Sequence, residues 1–152
     1  MSKEMKITAL ASLFLAGSFL LEFKQKAAFG WSFDFILAAL VVLPLFLDFS
    51  EFIFFGVLAF LLLKLAYPWS GLEAALLIFL PSLAFIFKKI FPWQSWLEPF
   101  LAVFLAITVF YSAANPGGFF GDVRFLVFDL AVSMIFGWVM YYFLAFAGER
   151  NA

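Results

Sequence analysis

Six apolar runs, 7–23, 32–47, 52–67, 71–87, 97–113 and 122–147, follow one another along the chain, separated by turns as short as "DFSE" and "PWSG". A water-soluble fold cannot carry that pattern, because a domain of this length has to clothe its surface in polar groups. Only 12% of the residues are charged and 67% are hydrophobic, so lipid is the solvent that fits. The runs approach the ~17 to 25 residues with which a helix crosses a bilayer. The expected fold is therefore all-α, an integral membrane bundle of six transmembrane helices with short loops, with residues 1–152 forming a single transmembrane domain. The basic, apolar opening "MSKEMKITALASLFLAGSFL" has the composition of a secretory signal, but five more apolar runs follow it and it reads as the first span.

With the N-terminus in the cytoplasm, Lys3, Lys6, Lys88, Lys89 and Arg150 fall inside, and Lys24, Lys26, Lys64 and Arg124 fall outside. The basic excess on the inner side predicts a multi-pass protein of the cell (inner) membrane with both termini cytoplasmic. Nine basic and ten acidic residues nearly cancel, which gives no field for nucleic acid. The chain has no Cys and no His, which excludes disulfides, thiolate metal sites and His-based triads. No metal site, cofactor or catalytic residue is expected, and the partners expected are membrane lipids and other membrane proteins.

Most of the acidic residues have a capping explanation. "SGLE" (70–73) and "SWLE" (95–98) spell the S-x-x-E capping box, and Asp34 and Glu51 fall in opening turns, where the helix dipole favours a negative charge. Glu22 is expected to pair on the surface with Lys26, four residues on. Lys64, one turn before Pro68, can run its stem along the helix and reach the interface. Asp129 is different, since "GDVRFLVFDLAVSM" places it about 10 Å into the last helix, too deep for so short a side chain to reach water. It is expected to face the bundle interior near Lys64 or Arg124, with Glu73 on the same side, either as a buried pair fixing helix order or as part of a ligand site. Thr8, Ser12 and Ala16 form a small-residue ridge on the first helix, suited to close helix packing or to docking a partner. Pro44 and Pro81 are expected to kink their helices, and "AANPGGFFGD" reads as the longest loop.

Several segments resemble the rod shape-determining protein MreD family. They are "FDFILAALVV" (33–42) with Asp34, "GVLAFLLLKLAYPWSG" (56–71) with Gly56 and Gly71, the basic turn "FKKIF" (87–91) and the closing "FLAFAGER" (143–150). Phe33 stands where the family usually has proline, Phe60 where it has a second glycine, and Lys64 where it typically has aspartate. The resemblance implies a six-span, non-enzymatic scaffold of the bacterial cell-wall elongation machinery, working beside MreC-like and other elongation proteins. That family is similar in architecture to the substrate-binding subunits of energy-coupling-factor vitamin transporters. A small-molecule ligand is expected only on that alternative, and an unrelated small multi-span membrane protein is a third.

Overall fold

The structure, a computed structural model, describes residues 2–29, 34–66, 71–90, 97–114 and 116–149. These residues form α1 (Lys3–Phe29), α2 (Phe35–Val42), α3 (Phe49–Ala66), α4 (Gly71–Ile90), α5 (Glu98–Ala114), α6 (Pro116–Gly121) and α7 (Val123–Glu149). A single 3-10 turn, Leu43–Leu45, follows α2 directly, and no strand occurs among the described residues.

α1, α4 and α7 contain stretches of 25, 20 and 26 residues long and apolar enough to cross a membrane. Their outward faces carry bare hydrocarbon, including Leu13, Phe79, Val127 and Ile135, which is compatible with a membrane protein. The all-α expectation is met. The span expected at 32–47 takes a different form. α2 and its 3-10 turn together run Phe35–Leu45, which covers only about 17 Å at 1.5 Å per residue. α5, at 17 residues, is also an apolar helix of less than full spanning length.

α2 is short because it is interior. All eight of its residues, "FILAALVV", are buried, as a helix that is apolar all round must be. It packs against α1, α4, α5 and α7. Pro44 ends it by withholding a backbone N–H, and the chain tightens so that the N–H groups of Phe46 and Leu47 both donate to the Leu43 carbonyl. The Pro44 carbonyl accepts a hydrogen bond from Lys88 Nζ at 3.1 Å. The break at Pro44 is thus tied to the last turn of α4. Pro81, by contrast, lies within an uninterrupted α4.

The two long helices beside α2 each turn one polar-studded stripe toward it. On α1 the stripe is Ala11, Leu15, Ser18 and Glu22, and on α7 it is Asp129, Ser133, Gly137, Met140 and Leu144, all buried. Both follow the three- and four-residue spacing of a single helical face. Phe14 meets Phe136 edge-on at 6.3 Å, and Phe35 of α2 reaches the same Phe136 ring at 4.9 Å, so aromatic contacts weld the three helices between the polar positions.

Local caps account for several charges. Asp48 and Glu51 open α3 as a capping pair, the Asp48 N–H lying 3.4 Å from Glu51 Oε2. Asp122 Oδ1 accepts the Phe125 N–H at the start of α7 at 3.2 Å. Ser70 and Ser95, and with them the two expected S-x-x-E boxes, lie outside the described residues. The stretch expected to be the longest loop folds partly into α6, with Pro116 at its first position, where a missing N–H costs no hydrogen bond.

At Gly137, α7 lies close against α5 and α2. A Cβ there would stand 2.7 Å from Val103 Cγ2 and 3.4 Å from Val42 Cγ2, and β-branched valines have little rotamer freedom to yield. Gly137→Ala is expected to lower stability by about 1 to 3 kcal/mol through overpacking. Thermal unfolding in detergent checks this, and adding Val103→Ala should restore most of the loss.

Candidate functional site: a carboxyl cluster at the start of α2

At one end of the bundle the last third of α1, the start of α2, the last turn of α5 and the first third of α7 converge. They bring together Glu22, Asp34, Tyr111, Asp129 and Ser133. Asp129, with no exposed surface, accepts three hydrogen bonds. The Asp34 backbone N–H donates to Oδ1 at 3.2 Å, the Ser133 hydroxyl to the same oxygen at 3.2 Å, and the Tyr111 hydroxyl to Oδ2 at 3.1 Å. Glu22, 8% exposed, accepts the Ile36 N–H on Oε2 at 3.1 Å.

The opening N–H groups of a helix have no partner within it, and in a buried helix water cannot supply one. Here α1 and α7 supply carboxylates instead, at the end of α2 where the helix dipole favours negative charge. Asp34 holds the N-cap position of α2 at φ −81 and ψ 56, but its side chain makes no capping bond. Its carboxyl turns toward Asp129 and Tyr111, within the field of Glu22, and its Oδ2 is buried without a hydrogen-bond partner. Three carboxyl groups therefore share a site served by backbone N–H and hydroxyl donors.

The interior placement expected for Asp129 is what the structure has, with different partners. Lys64 and Arg124 are exposed, and Glu73 is half-buried at the start of α4. Lys64 ends a helix that packs on α4 and the 3-10 turn, while the place beside α7 is taken by α2. Arg124 precedes Asp129 by five residues, which turns it about 140° around α7. Glu22 corrects the expected surface pair, since it points inward to cap α2.

The ridge on α1 faces α3. The Thr8 hydroxyl lies 2.9 Å from the Glu4 carbonyl and 3.1 Å from Glu51 Oε1. Ser12 and Ala16 line a groove of about 130 Å³ opposite Phe55 and Ala59 of α3. Two of the cluster's members, Glu22 and Ser133, were legible from their registers, each lying on the face that carries its helix's other buried residues. Tyr111 offers no such signal, because its role depends on how α5 sits against α7.

No family model matches the chain, and neither does any curated protein or solved structure.

Asp129→Leu would leave the Asp34 N–H and the Tyr111 and Ser133 hydroxyls without their acceptor, at about 1 to 3 kcal/mol for each buried group. The expected loss is at least about 3 kcal/mol in detergent unfolding, and Asp129→Asn, which keeps one acceptor oxygen, should lose markedly less. Glu22→Leu should cost about 1 to 3 kcal/mol by orphaning the Ile36 N–H, and Glu22→Gln, which keeps an acceptor for it, should stay close to wild type.

Proposed function

We propose that the chain is a non-enzymatic scaffold of the bacterial cell membrane, of the kind the MreD family represents, holding cell-wall elongation proteins such as an MreC-like partner in place. Both termini lie in the cytoplasm on this proposal. The observation that carries it is how the interior polar groups are employed. Glu22 and Asp129 are committed to the backbone at the start of α2, and the exposed Lys88 reaches the Pro44 carbonyl in the turn that follows it.

A binder of a vitamin-like molecule needs a concave site with a few converging polar groups. Three grooves on the molecule are lined mainly by aliphatic and aromatic side chains. The groove between α4 and α5 has a volume of about 250 Å³, with Leu80, Ala84, Leu101 and Ala106 in its walls and Lys88 and Glu98 also lining it. A second lies between α3 and α4, and the third between α1 and α3. Apolar grooves of this kind suit lipid chains or the side of another helix better than a polar metabolite.

Purification of the tagged protein from native membranes in mild detergent, with mass spectrometry of both proteins and small molecules, tests the proposal. The expected result is enrichment of wall-elongation proteins, lost on crowding the α1 ridge with Ser12→Leu and Ala16→Leu. An ATPase-bearing module or a stoichiometric small metabolite would contradict it and favour a transporter subunit.

A further inference from the structure

The hydrogen-bond pattern of the carboxyl cluster is lopsided. Asp129 receives three donors, so both of its oxygens are already engaged as acceptors. Glu22 receives a backbone N–H. Asp34 lies against Asp129, yet its Oδ2 is buried with no hydrogen-bond partner. A buried carboxyl oxygen left without a donor beside a second carboxyl is unfavourable unless one of the two becomes a donor.

The charges around the site lead to the same requirement. Glu22 faces it from α1, Asp34 from the start of α2, Tyr111 from α5, and Asp129 with Ser133 from α7. Lys26, one turn beyond Glu22, is exposed and lends Glu22 a partial counter-charge. Among the described residues one partial counter-charge faces three carboxylates, and it cannot balance them in a water-poor interior, where like charges at contact are strongly disfavoured. Nor do the described acidic groups converge as three ligands around a metal ion.

We infer that Asp34 is a proton-binding site, holding one proton on its carboxyl and sharing it as a hydrogen bond with the acceptor oxygens of Asp129 beside it. The proton turns the orphaned Oδ2 into a donor and gives Asp129 a fourth hydrogen bond. It also removes the repulsion that would drive the first turn of α2 out from between α1 and α7. The bound proton is part of what seats the central helix, and its release loosens that end of the bundle. The site therefore adds a ligand, the proton, to a cluster that otherwise only caps a helix.

Infrared difference spectroscopy of the full-length protein in lipid near neutral pH, in H2O and D2O, reads this directly. Wild type is expected to show the carbonyl stretch of a protonated carboxylic acid, shifted by deuteration. In a Glu22→Gln background, which removes the other buried carboxyl near Asp34, Asp34→Asn should abolish the band while keeping thermal stability near neutral pH, because the amide NH2 replaces the proton as donor to Asp129. Glu22→Gln should retain the band. A wild-type spectrum with no protonated carboxylic acid near neutral pH would overturn the inference. A band that survives Asp34→Asn in the Glu22→Gln background would do so too, and so would wild-type thermal stability that depends on added sodium.

Discussion

A helix buried on all sides has to find partners for its first backbone N–H groups inside the protein, and the rest of this structure is arranged around that requirement at α2. Glu22 and Asp129 reach it from α1 and α7, and the two long helices are thereby fixed in register against it. At the other end, Lys88 takes the carbonyl of Pro44, where proline has broken the helix. The central element is held at both ends by side chains from its neighbours, and between those ends by close apolar packing. Gly137 shows how close, since α7 leaves no room there for even one extra carbon beside Val103.

In a lipid setting, with which the three long apolar helices are compatible, this arrangement has a particular logic. Apolar side chains gain little by leaving hydrocarbon for a protein interior, so packing and hydrogen bonds must specify which helices meet. The chain uses both along the same stripe of α7, where Asp129 and Ser133 give way to Gly137 and then to Met140 and Leu144. α3 lacks such a stripe. It touches α4 and the 3-10 turn, reaches α1 through the Thr8 and Glu51 side chains, and is flanked by apolar grooves. Phe52, Phe55, Ala59 and Leu63 face inward, while its outer face, with Phe54, Val57, Leu61 and Leu65, offers apolar surface to a neighbouring molecule.

Much of the architecture was legible because apolar run length and turn spacing survive in sequence without knowledge of packing. The long helices, the interior placement of Asp129 and the opening of α3 by Glu51 all follow from local pattern. The shortness of α2 was not legible, because a buried apolar run reads the same whether it spans a bilayer or stops at a proline partway. The partners of Asp129 were missed for a related reason. Sidedness alone grouped it with Lys64 and Arg124, whereas the angle around each helix decides contact and directs both cations outward. Glu22 carried the correct signal in its register with Ala11, Leu15 and Ser18, which a pairing rule based on Lys26 overrode.

The central claim is that carboxylates from α1 and α7 seat the start of α2. Hydrogen exchange of the protein in lipid nanodiscs, followed peptide by peptide in wild type and in a Glu22→Leu, Asp129→Leu double variant, measures it most directly. The account predicts that Phe35–Val42 is strongly protected in wild type and becomes the first segment to exchange in the variant, while the middle of α4 keeps its protection. Unchanged protection of α2 in a folded variant would contradict it, and so would an equal loss of protection across every helix.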